Sequence, residues 1–347
     1  MQLRIEKFSQ TEWNAIVSSF TDLTLLQTWE YGEATCRTRS SLEVHRMVFE
    51  DQGSLCGAAQ ALVRRVPLMN GGLVWINRGP LWRRPGSEES AGLVEMLEAL
   101  RRHWVNGGKM YLRVAPTLLD GELDSRTIAK AGYGFEKNFS GWTSGRLNLL
   151  APLELLQTGL RGNWRNSARK AESSGVTIQI GSSAALFERV IKEYSRLLSR
   201  KKFDTTVSPE FLASFQSVAQ DRHKFLVLTA MEGSDPAERF LGGIIVARFG
   251  DTCEYLVGAI NSAGKVRNAG QLLLWKAIEY AKTAGYQHFD VGGLDPERTP
   301  PGVLYFKQGV GAKPYTYIGE FDASPGGLVS KAVRWQVRRA FRAPRTG

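Results

Sequence analysis

The stretch CEYLVGAINSAGKVRNAGQLLLWKAIEYAKTAGYQHFDVGG, Cys253 to Gly293, reads as strand, helix, strand. In QLLLWKAIEYAKTAG the apolar residues Leu273, Leu274, Ala277, Ile278 and Ala281 recur at i, i+3/i+4 spacing. That spacing gives a helix one apolar stripe to lay on a sheet. Gly285 follows as a left-handed cap, a conformation open to a residue without a Cβ. Upstream, FLGGIIVARFG at Phe240–Gly250 predicts another strand, carrying a glycine pair. The continuous run FLVLTA, Phe225–Ala230, fits a strand buried on both faces.

The first half repeats this order. A strand is expected over Leu55–Arg65 (LCGAAQALVRR) and another over Gly72–Pro80 (GLVWINRGP). A helix follows over Ala91–Val105 (AGLVEMLEALRRHWV), then a strand over Met110–Val114 (MYLRV). Trp75 is offset from Tyr255 by the same stretch of chain as Leu93 is from Leu273, and Tyr111 from Phe289 by nearly the same. Strand–strand–helix–strand recurring at a near-constant period predicts a duplicated α/β domain. The expected organisation is a first domain over 1–150, a second over 151–322 and a basic tail over 323–347. The boundary between the halves is expected at NLLAP, Asn148 onward to Pro152.

The composition agrees with two packed cores: 347 residues, 43% hydrophobic and 10% aromatic, exclude global disorder. No segment approaches the roughly 20 apolar residues that cross a bilayer. The start, MQLRIEKFSQTEW, lacks the apolar core of a signal peptide, so an intracellular, cytoplasmic protein is expected. Three scattered cysteines argue against a disulfide framework, and the four histidines show no zinc spacing, so no metal is expected.

A net charge of +11 favours anionic partners. From Ala323 to the end the chain carries Lys331, Arg334, Arg338, Arg339, Arg342 and Arg345 and holds no acid. In GLVSKAVRWQVRRAFRAPR, Val329, Val333, Val337, Ala340 and Phe341 share one helical face, and Lys331, Arg334, Arg338, Arg342 and Arg345 share the other. An amphipathic basic helix is predicted, able to dock on the body while presenting charge to RNA or to anionic lipid at the inner face of a membrane.

Two further stretches can carry chemistry. In LRGNWRNSARKAESSGV, Leu160 to Val176, Arg161, Arg165 and Arg169 recur every fourth residue with Lys170 beside them. On a helix they form one cationic edge, either a ladder for phosphates or a solvated face. In HFDVGGLDPERTPPGVLYFKQGVG, His288 to Gly311, a strand ends in Asp290, a Gly-Gly turn follows, and a second short strand is expected to hold Phe306 and Lys307. A lysine there can place an ammonium at developing negative charge, or pair with a carboxylate. Asp290 and Asp295 can accept a proton or cap their loops. G-x-S-x-G, Walker A and G-x-G-x-x-G motifs are lacking, and no serine or cysteine has a recognisable histidine partner. What remains is a reaction driven by an already activated substrate.

These motifs together resemble the Fem-type aminoacyltransferases, known for building the cross-bridges of peptidoglycan in cell-wall biogenesis. The resemblance runs from LLQTWEYG (Leu25–Gly32) through INRGPLW (Ile76–Trp82) and YLRVAP (Tyr111–Pro116) to YIGEFD (Tyr317–Asp322). WRNSARKAESSGV resembles the family pattern R-x-x-[IV]-[RK]-K-A-x-x-x-G-V, and FDVGG … FKQGVGAKPYTYIGEFD is the best match. The resemblance implies an α/β fold with mixed sheets, two tandem GNAT-like (N-acetyltransferase-like) domains, followed here by the basic helix.

The family joins the amino acid of an aminoacyl-tRNA to an acceptor amine. By resemblance, Phe306 and Lys307 fall on its Phe-Lys pair, with Lys307 the cation at the reacting ester or its oxyanion. Arg161, Arg165, Arg169 and Lys170 are then donor contacts, and Tyr111, Arg113, Tyr255 and Asp290 the acceptor cleft. No cofactor is implied beyond aminoacyl-tRNA as co-substrate. The residues by which members hold a UDP-linked precursor are replaced by Glu33, Val207 and Ala115. That leaves a lipid-linked peptidoglycan precursor, a peptide or a small-molecule amine as acceptor. The alternative donor is acyl-CoA, which GNAT enzymes cradle at Q/R-x-x-G-x-G/A; KVRNAGQLLLW offers Arg267 and Gly270 but Leu272 in place of the last small residue.

Overall fold

The computed structural model describes residues 1–66, 71–86, 91–135, 141–201, 207–233 and 239–340. The chain forms two compact units, Met1–Trp142 with Thr316–Gly347, and Thr143–Tyr315. In chain order the first segment comprises β1 (Gln2–Glu6), α1 (Gln10–Val17), α2 (Trp29–Thr38), β2 (Glu43–Asp51), β3 (Ser54–Arg65), β4 (Gly72–Asn77), α3 (Ala91–Leu100), β5 (Tyr111–Ala115), α4 (Ser125–Lys130) and β6 (Gly134–Phe135). The second unit comprises β7 (Thr143–Asn148), α5 (Leu153–Gly159), α6 (Gly162–Ser173), β8 (Val176–Gly181), α7 (Ala184–Lys201), α8 (Pro209–Val218), β9 (Leu226–Glu232), β10 (Arg239–Phe249), β11 (Thr252–Ile260), α9 (Ser262–Val266), α10 (Ala269–Thr283), β12 (His288–Asp290), α11 (Pro301–Gln308) and β13 (Lys313–Thr316). Beyond it come β14 (Phe321–Ala323) and α12 (Gly327–Ala340). Phe341, Arg342 and Arg345 of the predicted basic helix lie outside the described residues.

The expected duplication is present. Strands of the first unit pair in the order β1-β2-β3-β4-β5-β14-β6, and those of the second in the order β13-β7-β12-β11-β10-β9-β8. In each unit the strand before the long helix runs parallel to the strand after it. Trp75 faces Arg113 across β4 and β5, and Cys253 faces Phe289 across β11 and β12. A crossover through a helix is what a parallel pair requires.

Both long helices bury the stripe that the spacing predicts. In the second unit Leu273, Leu274, Ala277, Ile278 and Ala281 pack with Leu228, Ile244, Val246 and Phe289 of the sheet and with Trp164, Ala168 and Ala171 of α6. Each large aliphatic side chain so buried contributes about 1.5–3 kcal/mol. Helix α7 covers β9, β10 and β11, which is why Phe225–Ala230 is buried throughout. Gly285 takes φ +87, as a left-handed cap requires. In the first unit Leu93, Leu97 and Leu100 pack with Val74, Ile76, Leu112 and Val114.

Three sequence expectations differ from what the chain does. The helix expected to end at Val105 widens to π-helical turns over Arg101–Gly107. Phe306 and Lys307 lie on helix α11, not on a strand: Pro301 opens it at the first helical position, where its missing N–H costs nothing. The mixed run of large side chains from Val303 to Lys307 looks alike at periods of 2 and 3.6. Finally, the units do not divide at residues 150 and 322. Arg146 of β7 pairs with Asp290 in the second sheet, while Phe321 of β14 pairs with Val114 and Phe135 in the first. Strand pairing, not chain order, assigns these segments.

Candidate active site

In the second unit, β12 ends at Asp290, the chain turns through Gly292 and Gly293, and α11 carries Phe306 and Lys307 back beneath that turn. Lys307 is only 8% exposed. Its Nζ donates to the carbonyl of Gly293 at 3.3 Å and lies 5.4 Å from the centroid of the Tyr255 ring. Among the described residues no carboxylate pairs with it directly. Burial pulls the ammonium down to about 8, opposed by the negative charges of Glu254 and Asp290. Of the three donors on an ammonium, one is used among the described residues. The other two are available to a ligand.

Gly292 makes room for this lysine. It takes φ +71, and a Cβ there would stand 3.0 Å from Lys307 Nζ and 2.9 Å from the carbonyl oxygen of Tyr255. Asp290, also buried, accepts from Ser144 Oγ at 2.5 Å, from the Gly292 N–H at 2.8 Å and from Tyr315 Oη at 2.6 Å. The bond to the Gly292 N–H is the loop-capping role expected of Asp290. The other two bring in Ser144 and Tyr315, from β7 and β13. Asp295 caps its loop through the Glu297 N–H at 2.8 Å and pairs with Arg298.

A second layer fixes α11. Trp164 of α6 donates from Nε1 to the Phe306 carbonyl at 3.0 Å, its ring 6.1 Å from that of Phe306, and Tyr255 packs 6.5 Å from Phe306 on another side. Burial holds the Tyr255 hydroxyl far above the ordinary phenol range, so it stays protonated. Arg161 stands at the N-cap of α6, its guanidinium 4.8 Å from the centroid of the exposed Tyr305 ring, whose hydroxyl accepts from Asn163 at 2.6 Å. Arg169 and Lys170 are exposed on the same helix, and Arg165 is half-buried with Nη1 3.5 Å from the Gln157 and Thr158 carbonyls. Arg161 therefore stands next to the Lys307 helix, and Arg165 is turned toward backbone.

Tyr111 and Arg113 belong to the first unit. Arg113 is 1% exposed; its Nε and Nη2 each donate to Asp322 at 2.7 Å, and Nη1 meets Glu320 at 3.0 Å. The Tyr111 hydroxyl donates to Asp322 as well. These bonds bind β14 into the sheet. Sequence reading missed Ser144, Tyr315, Trp164 and Asn163. Tyr315 stands in the motif-bearing stretch KPYTYIG and Trp164 in WRNSARK, but only chain folding puts them against Asp290 and Phe306.

Among the described residues no group of three or more His, Cys, Asp or Glu is placed to hold a metal ion, and no helix is long and apolar enough to cross a membrane. Residues 159–308 match the family model described as acetyltransferase (GNAT) domain. No curated protein matches the sequence significantly. Among solved structures, FemX is similar with TM-score 0.80 at 15% identity, covering 97% of this chain and 100% of that one. L-PGS from Bacillus licheniformis is similar with TM-score 0.55 at 12% identity, covering 96% and 98%. A tandem GNAT protein from the clavulanic acid biosynthesis pathway is similar with TM-score 0.52 at 13% identity, covering 94% and 100%. The chain thus has the tandem GNAT fold that it shares with FemX, and the stretch 159–308 in its second half matches the acetyltransferase (GNAT) domain.

Proposed function

We propose that the protein is an aminoacyltransferase that joins the amino acid of an aminoacyl-tRNA to an acceptor amine. The observation that carries this reading is the buried ammonium of Lys307, poised beside Gly293 with donors to spare. Such a site suits an activated ester that the acceptor attacks directly. The amine nitrogen forms a bond to the ester carbonyl carbon, the carbonyl oxygen takes up negative charge, and the ammonium stabilises that oxyanion in a low-dielectric setting. Collapse breaks the bond to the ribose oxygen, which leaves as a hydroxyl carrying the proton lost by the amine. The products are an amide and free tRNA. Phe306 and Tyr255 pack around the lysine and exclude water, and Arg161 on the neighbouring cap is the donor contact. The full-length fold likeness to FemX supports the same reading.

An acyl-CoA donor is the second reading, favoured by the acetyltransferase description of the matching domain. Against it, Arg267 at the start of α10 is tied to Glu232 by an ion pair instead of standing ready for a pyrophosphate. One experiment separates the two: purified protein with a broad amine and peptide acceptor pool, given labelled bulk aminoacyl-tRNA or acyl-CoA. RNase-sensitive label transfer is expected in the first arm. Thiol release confined to the second arm would overturn the tRNA reading in favour of a CoA-dependent N-acyltransferase.

A further inference from the structure

The outward face of α12 is not used by the chemistry proposed above. Val333 is buried against Tyr111, with Leu73 and Val66 packed on the same cluster, and Ser330 is buried beside it. That face holds the helix to its own unit. On the opposite face Leu328 is 82% exposed and Trp335 60% exposed. At i and i+7, they stand two turns from each other on one line of the helix. Lys331 lies between them and Arg334 beside them, both exposed. From Ala323 to the end of the sequence there are six Lys and Arg and no acid.

We propose that α12 docks the protein on an anionic lipid surface. An exposed leucine and an exposed tryptophan on a cationic helix face gain by entering the boundary between headgroups and acyl chains, where an indole has both an apolar and a polar environment. Lys331 and Arg334 then stand at the level of the lipid phosphates, and the four arginines that follow in sequence add to the attraction. The helix lies in the interface and does not span it: α12 has 14 residues, too few and too polar to cross. RNA offers the same negative charge, but phosphate contacts use the cations and give the exposed Leu328 nothing to bury in. This inference is independent of which donor the second unit uses.

The test is co-sedimentation of the full chain with vesicles of mixed phosphatidylglycerol and phosphatidylcholine, compared with phosphatidylcholine alone, at low and high salt. Binding is expected to the mixed vesicles only, and to weaken as salt screens the charges. Trp335→Ala and Leu328→Ala are each expected to reduce it about tenfold, and Lys331→Glu by at least about fivefold. Because these side chains are exposed, melting curves of the variants should overlay the parent. Three outcomes overturn the proposal: no binding to either vesicle, equal binding to neutral vesicles, or salt-sensitive binding to RNA alone that survives both apolar substitutions.

Discussion

Lys307 sets a conflict between stability and chemistry. The unfolded chain holds its proton up to about pH 10.4. Burial lowers that limit to about 8 in the folded unit. Keeping the ammonium charged inside the fold therefore costs stability at every pH below 8, and the cost fades as pH rises from 8 to the unfolded value. Lys307→Met should raise stability at pH 7 by about 1–3 kcal/mol in denaturant titrations, with the gain gone near pH 10.5. The same variant should lower kcat at least about 100-fold, as removal of an oxyanion partner does. On the proposed mechanism the cation is the working form, so the parent's rate should fall as pH climbs through 8. Asp290 holds a negative charge that favours that cation. Asp290→Asn keeps the oxygen that accepts from Ser144 and Gly292, yet should move the alkaline limb to lower pH. An unshifted limb would remove Asp290 from the site's electrostatics.

At the level of elements, the turn between β12 and α11 decides where the ammonium stands. Gly292→Ala would force a Cβ into a left-handed backbone, 2.9 Å from the Tyr255 carbonyl and 3.0 Å from Lys307 Nζ. A stability loss of about 1–3 kcal/mol is expected, with activity falling further than stability accounts for. Trp164 links α6 to α11 through its bond to the Phe306 carbonyl. Trp164→Phe keeps most of the packing and loses that bond. Its expected signature is a loss of about 1 kcal/mol in unfolding free energy. In the first unit, Arg113 and Asp322 anchor β14 between β5 and β6. Arg113→Met strands a buried carboxylate and should cost about 3–5 kcal/mol, read by chemical denaturation.

For the whole molecule, the consequential feature is that the first unit is completed by residues that follow the second in sequence. Deleting residues 316–347 removes β14 from between β5 and β6, along with α12. The first unit should then lose cooperative unfolding, while residues 143–315, whose sheet keeps its neighbours apart from the end of β13, retain a melting transition. Two separate transitions in calorimetry, with only the first lost on truncation, is the expected result. A single transition lost altogether would show that neither unit folds without the other.

The sequence by itself determined the duplicated strand–strand–helix–strand, because amphipathic spacing is a local property: the stripe from Leu273 to Ala281 must be buried wherever that helix forms. It also picked out Asp290 and Lys307 as candidates within one stretch, His288 to Gly311. Tertiary structure alone decided which unit β7 and β14 join, since partners as distant in the chain as Val114 and Phe321 leave no trace in local periodicity. It turned Phe306 and Lys307 onto a helix that Pro301 starts. It also set Arg113 against Asp322, because a buried guanidinium goes wherever a carboxylate can meet it.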